Sequence, residues 1–391
     1  MKIVHVIDYF YPQLGYQETF LAKTEGKQGY DVYVLTSNLF GEEIYQANQK
    51  ILKHKKKNVG FLLEREIKTI RLSAIPIPLV NHLFLIGLED VLTFLKPDVI
   101  ICHGIASLTS IRLARIKKYP EIKIIFDDHM TYNATRGGIF YFIYFLFSVF
   151  FTHLILKSAD GLVAVTNESK KFMEKIYRIP GERIKIIPLG VDTKLFQQNI
   201  SSREKIRGEY DIYEDDVVFI YAGKVIPEKG PHLLVKAAVQ ILRKHSNIKV
   251  MFVGGSRPDY EDLLKKEIKS AGFESHFKFI SAVPNDKLYE YYSAADVGIW
   301  PLQCSLAMLE AMACSLPVII SDHSGALERI SEGNGFAYKE GNINDLLKNM
   351  EKLLDQETRK DMSLRAREFA VEHDWNIISK SFLETINVNQ H

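Results

Sequence analysis

The chain has 391 residues, a net charge of +2 and 25% charged residues. That length suggests two domains, each able to bury a full core, and so weak a positive balance speaks against a nucleic-acid binder. The three cysteines, Cys102, Cys304 and Cys314, have neither a CxxC nor another metal spacing, so no zinc site or disulfide framework is expected, and a reducing compartment fits.

The opening MKIVHVID reads as a β-strand, its apolar run being too short for a signal peptide. Apolar runs of Ile, Val and Phe follow at Val32–Thr36, Thr69–Leu72, Val99–Cys102, Ile122–Phe126, Leu162–Val165 and Lys185–Ile187. A second series runs through Val217–Tyr221, Lys249–Val253, Lys278–Ser281, Val297–Trp300 and Val318–Ile320. Helical stretches separate them. Near-continuous apolar strands of this kind are covered on both faces, the habit of parallel sheets. The pattern predicts an α/β protein of two Rossmann-like, doubly wound domains facing across a cleft. The first spans 1–190 and the second 191–373. The amphipathic stretch 374–391 is expected to pack back on the first domain.

Ligands of such sheets gather at the loops following the strands. After the first strand comes FYPQLGYQ, where Gly15 gives backbone room before a helix N-terminus that can face an anion. Asp127-Asp128-His129 closes another strand, and His129 is a candidate hydrogen-bond donor to a ligand, with a loop-tying role as the alternative. Lys53-His-Lys-Lys-Lys57 is a solvated face or an attraction for anionic lipid. Between Gly137 and Leu156 lie twenty residues without Asp, Glu, Lys or Arg, rich in Phe and Tyr. Their length suits a bilayer span, yet an internal strand follows at once, which leaves a buried crossover helix or one resting at the membrane interface.

In the second half, YAGKVIPEKG carries Lys224 and Lys229 around a turn where they can converge on a diphosphate. Val253-Gly-Gly-Ser256 ends the next strand with room for a nucleotide, and Ser281–Pro284 ends a third. Glu310 then sits on a helix predicted over 305–314 whose neighbours Leu306, Ala307, Ala313 and Cys314 are apolar. A carboxylate there needs donors, either ligand hydroxyls or a backbone N–H, Arg or Lys of the protein.

Gly223-Lys…Glu228-Lys-Gly230, Val253-Gly-Gly255 and Leu309-Glu-Ala-Met-Ala313…Leu316-Pro-Val-Ile319 resemble the donor half of the retaining GT4-type glycosyltransferases of the GT-B fold. Tyr11-Pro…Gly15…Glu18, Gly29–Thr36 and Ile187-Pro-Leu-Gly-Val-Asp192 resemble that family's first half and interdomain signature. The resemblance implies transfer of a sugar from a nucleotide-diphosphate sugar to a glycan or lipid-linked acceptor; the cysteine usage and N-terminus place it in the cytoplasm, and the aromatic stretch 137–156 suggests peripheral contact with the inner face of the membrane. The resemblance also implies no metal and no cofactor, the nucleotide sugar being substrate. Lys224 and Lys229 would hold the diphosphate and His129 would meet the transferred sugar, as the residues of catalysis. Glu310 would accept from the ribose hydroxyls, Ala282 and Val283 would meet the base, and Gly15 and Gly223 would give close backbone approach. The sugar would be read by the backbone of Gln303, Cys304, Ser305 and Leu306 or by other side chains. Leu302 stands where the family commonly has Glu, Lys224 where it has Arg, Ser315 where it often has Gly, and Tyr16 in place of a second glycine. A donor epimerase or hydrolase, and a non-catalytic nucleotide-sugar-binding subunit, are the alternatives.

Overall fold

The computed structural model describes residues 1–47, 52–77, 82–116, 121–132, 138–302, 305–322 and 327–386. The chain forms two compact units, Met1–Leu189 with Trp375–His391, and Gly190–Asp374.

The first unit is built on an eight-stranded sheet of β1 (Lys2–Ile7), β2 (Asp31–Ser37), β3 (Gly60–Glu64), β4 (Ile67–Leu72), β7 (Val99–His103), β8 (Lys123–Asp128), β9 (Gly161–Ala164) and β10 (Ile184–Ile186). Their order is β10-β9-β8-β7-β1-β2-β4-β3, and a separate ribbon pairs β5 (Ala74–Pro76) with β6 (Leu83–Leu85). All neighbours in the large sheet run parallel except β3 against β4. The central strands are buried on both faces: Val4, Val6, Ile100, Cys102, Ile124 and Phe126 are fully enclosed. Strand β3 lies outside the sequence expectation for a physical reason. It is an edge strand whose Phe61 and Leu63 face solvent at 61% and 69% exposure, so burial leaves no continuous apolar run to read.

Two helices of this unit matter for function. Trp375–Glu384 belongs to it, with the Trp375 ring stacked on Phe20 at 5.4 Å and the Ser379 hydroxyl donating to Gln28 Oε1. Gly138–Ser158 presents two unlike faces. On one, Tyr144 and Phe147 pack edge-on against Tyr177, Thr152 Oγ1 donates to the Tyr177 carbonyl at 2.6 Å, and Ile155 is wholly buried. On the other, Phe142, Phe145, Leu146, Val149 and Phe150 are exposed. Their spacing of three and four residues places them on one stripe. Strand β9 begins at Gly161 within the same sheet, so this helix is anchored into the unit along one side.

The second unit holds a six-stranded, all-parallel sheet of β11 (Val217–Ala222), β12 (Ile248–Val253), β13 (Phe277–Ile280), β14 (Val297–Trp300), β15 (Val318–Ser321) and β16 (Gly335–Tyr338), ordered β13-β12-β11-β14-β15-β16. The first five correspond to apolar runs in the sequence, whereas GFAY at β16, with only Tyr338 buried, carries no Ile or Val run to announce it. Because the strands are parallel, the loops after β11, β12, β13 and β14 open side by side along one edge.

Candidate active site

That edge of the second unit is held in register to its last residue. Gly223 N–H donates to the Val253 carbonyl at 2.9 Å, and Gly254 N–H to the Ile280 carbonyl at 3.0 Å. Gly254 has φ +155°, and any Cβ there would overlap the Gly223 carbonyl oxygen, so the loops after β11 and β12 approach as only glycine allows. Tyr221 donates its hydroxyl to the Lys224 carbonyl at 2.8 Å, fixing the start of the lysine loop. Lys224 is exposed, and Lys229 is half-buried in the turn that leads into the Pro231–Leu242 helix. The position that resemblance fills with a carboxylate is taken by an apolar cover: Leu302 lies so close to Gly230 that a Cβ on the glycine would come within 2.6 Å of Leu302 Cγ.

Glu310 sits on the Leu306–Ala313 helix, whose Met308, Leu309, Ala311, Met312 and Ala313 are buried with it. Its partner is neither an arginine nor a lysine. Asn285 Nδ2 donates to Glu310 Oε1 at 2.7 Å, and the Tyr292 hydroxyl, which donates to the Ala307 carbonyl, lies 3.5 Å from Oε2. Burial drives the carboxyl up and the Asn285 and Tyr292 contacts hold it back, leaving it at about 7. Half-buried Val283 and exposed Ala282 stand in the loop that delivers Asn285. Sequence reading passed over Asn285, although it directly follows Pro284 at the end of a loop already singled out.

The Leu306–Ala313 helix stops where Ser315 N–H returns to the Met312 carbonyl and Leu316 N–H to the Ala311 carbonyl. This paired closure needs a left-handed residue, and Ser315 supplies it at φ +62°. Ser305 caps the helix start in an extended conformation, its carbonyl accepting from Arg329. Leu306 follows as the first helical residue, while Gln303 and Cys304 lie outside the described residues.

In the first unit, Gly15 adopts φ +70° one residue before Tyr16, the N-cap of the Gln17–Lys27 helix. Asp127, the next-to-last residue of β8, is fully buried. His103 Nδ1 donates to its Oδ2 at 2.9 Å, Gln17 Nε2 donates to the same oxygen at 3.1 Å, and His129 Nε2 stands 3.7 Å away. Burial alone would raise Asp127, but the two imidazoles hold it well below the usual carboxylate range. Burial pulls His129 down and Asp127 more than reverses it, lifting the imidazole above its ordinary value. Its side chain is 45% exposed, so it is the member of this cluster that a ligand can reach. Asp128 is spoken for by the backbone N–H groups of Met130 and Ile105. His103 and Gln17 were not singled out from sequence, and the buried Glu18 entered only as part of the opening motif. The signal for His103 was available, since it ends the strand next to the one that carries Asp127.

A recess of about 770 Å³ opens at the opposite edge of the second sheet, beside Asn199, Arg203, Asp216, Asn247, Asp296 and Arg359. Its arginines are committed: Arg203 to Asp296 and the Ser293 carbonyl, Arg359 to the Leu353 and Leu354 carbonyls. Lys360, Glu214 and Asp215 also line it, but it lies at the starts of the strands, away from the loops that follow them. Among the described residues, no cluster of three or more His, Cys, Asp or Glu is arranged to hold a metal ion.

Residues 202–369 match the family model of glycosyl transferases group 1, and residues 20–195 match Glycosyltransferase Family 4. A D-inositol 3-phosphate glycosyltransferase of Acidothermus cellulolyticus is 30% identical over 189 residues, 46% of this chain and 42% of that protein. A lipopolysaccharide 1,2-N-acetylglucosaminetransferase of Salmonella typhimurium is 25% identical over 314 residues, 77% of this chain and 75% of that one. The matched part of the chain thus spans less than half the length of the first of these relatives. Anabaena HepE, solved in complex with UDP, superposes with a TM-score of 0.76 at 18% identity, covering 99% of this chain and all of that one, a likeness of fold. With both halves matched in sequence and the whole matched in fold, the chain belongs to the group 1 glycosyltransferases, on the GT-B fold.

Proposed function

We propose that the protein is a retaining glycosyltransferase of the GT4 type, moving a sugar from a nucleotide-diphosphate sugar to a glycan or lipid-linked acceptor. The observation that carries this reading is Glu310, a buried carboxyl poised near neutrality at a sheet edge with only an amide donor firmly on it. The vicinal hydroxyls of a ribose supply the missing donors and favour its ionised form. Lys224 and Lys229, in the loop after the adjacent strand β11, neutralise the diphosphate as it departs. In this reading the two ammonium groups take the part a divalent metal plays elsewhere, and neither metal nor cofactor is required. Ala282 and Val283 flank the base, while Gly15 and His129 serve the sugar from the first unit. Sugar hydroxyls are read by backbone groups about Ser305 and Leu306, since Leu302 has none to offer.

The UDP-bound state of HepE, a structural neighbour, makes UDP the first nucleotide to test, and the Salmonella relative's name makes a glycan acceptor the first class. The exposed apolar stripe of the Gly138–Ser158 helix, with the Arg178 guanidinium 4.8 Å over Phe145, supports peripheral contact with an anionic membrane on its cytoplasmic face. Thermal unfolding with UDP, GDP, ADP and TDP tests the core of the reading. One diphosphate should raise the melting temperature with the logarithm of its concentration, and a flat response to all four contradicts it.

A further inference from the structure

A row of ionisable side chains runs through the first unit behind His129. Glu25 Oε2 lies 2.7 Å from His5 Nε2, His5 Nδ1 lies 3.0 Å from His103 Nε2, and His103 Nδ1 lies 2.9 Å from Asp127 Oδ2. The two rings lie within 5° of parallel, centroids 5.3 Å apart, and meet edge to edge through their nitrogens. His5, Glu25 and Asp127 have no exposed side-chain surface, and His103 is 5% exposed.

The proton count follows from the geometry. Each of these hydrogen bonds needs one proton, so the row holds three. Two neutral imidazoles bring two. Without a third, the bare nitrogens of His5 and His103 would face each other inside the protein, two buried acceptors with no donor. Asp127 lifts the His103 imidazole above its ordinary value against the effect of burial, which places the extra proton on the rings, and shifting the proton along the bond between them passes the charge from one ring to the other.

We propose that Glu25, His5, His103 and Asp127 form a buried relay carrying one excess proton, and that through it Glu25 and His5 act as positioning residues for the charge of His129. The chemistry fits the place. Asp127 is shared between His103 on its inner side and His129 on its outer side, so a positive charge held in the row opposes protonation of His129. The relay therefore decides whether the imidazole at the loop meets a sugar as a neutral donor and acceptor or as a cation, a role that rests on the proposed placement of His129 at the transferred sugar. The other ionisable groups bearing on the row are Glu18 on the Gln17–Lys27 helix, Asp128 on β8, and Asp8 with Cys102 at the ends of β1 and β7. Glu18 and Asp128 are both raised by burial, and each pulls an imidazole upward, Glu18 acting on His103 and Asp128 on His129.

Nitrogen NMR of the full chain labelled at histidine tests this without any turnover. At pH 7.5 the His5 and His103 rings together should show three protonated nitrogens out of four; two protonated nitrogens would overturn the relay. Glu25→Gln gives a second test, with a sign that separates the readings. The glutamine amide can donate to His5 Nε2, so the row keeps all its hydrogen bonds with both rings neutral. His129, relieved of a positive neighbour, should then titrate about half a pH unit or more higher. If Glu25 were only a distant negative charge, removing it would lower the His129 midpoint, and a fall or no change contradicts the proposal. Should the variant not fold, the wild-type spectrum decides alone. A protein that transfers no sugar from any nucleotide donor, yet gives both NMR results, would overturn the transferase reading and leave the relay standing.

Discussion

Asn285 and Glu310 are joined by a 2.7 Å hydrogen bond that ties the loop after β13 to the helix after β14, across the two intervening strands β12 and β11. At about 4.8 Å per strand it links parts of the sheet edge about 14 Å apart. Glu310 stands at about 7, and in the proposed function nucleotide hydroxyls bind its ionised form. Below pH 7 a proton must leave before the ribose can bind, so UDP affinity should weaken toward a tenfold loss per pH unit, whereas above pH 8 it should level off. Glu310→Gln should bind UDP more weakly at pH 8 and show no such slope. Calorimetry at pH 6 and 8 checks both, and equal wild-type affinities at the two values would rule out the ribose role.

The same carboxyl sets a stability slope of the opposite sense. Its value rises from 4.5 in the unfolded chain to about 7 in the fold. Between those values the unfolded form has released the proton and the folded form still holds it, so stability falls as pH rises, by at most about 3 kcal/mol. Glu310→Gln should unfold at higher urea than wild type at pH 8 and at about the same urea at pH 4.5. The chain has two tryptophans, and Trp375→Phe leaves the buried Trp300 as sole reporter of the second unit. A variant no more stable than wild type at pH 8 would show that Glu310 is not held near neutrality.

Ser315 is held at φ +62° by the closure of its helix. Glycine relieves that strain but loses more freedom on folding, and the balance for Ser315→Gly should be a gain of about 1 kcal/mol. Ser315→Val should lose more than that. The same Trp300 fluorescence reads both, and a glycine variant less stable than wild type would mean the serine side chain makes a contact that outweighs its strain.

Phe142 and Phe150 are 56% and 68% exposed, so changing both to Asp should leave melting unaffected. Wild type should float with vesicles containing anionic phosphatidylglycerol, and the double variant should stay behind. Equal flotation of the two would move any membrane contact elsewhere.

Much of this was legible in the chain. Parallel strands buried on both faces write themselves as apolar runs, which is why β11 through β15 could be placed, and glycine turns mark loops that side chains would block. What stayed hidden depends on partners distant in sequence. Glu310 announced that it needed donors but not that Asn285, 25 residues earlier, would be one. His5 hid inside an apolar strand because its meaning comes from Glu25 and His103, brought beside it by the fold. The aromatic run 137–156 showed its length but not its two faces, since burial by Tyr177 decides which side is which.

The most direct test is to compare turnover with binding in Lys229→Ala, using the donor whose diphosphate passes the melting screen. If this lysine quenches charge on a departing diphosphate, turnover should fall by about 100-fold or more while affinity for the free diphosphate falls less than tenfold. Equal losses in turnover and affinity would mean that the loop after β11 only binds its ligand, and would contradict transfer at this site.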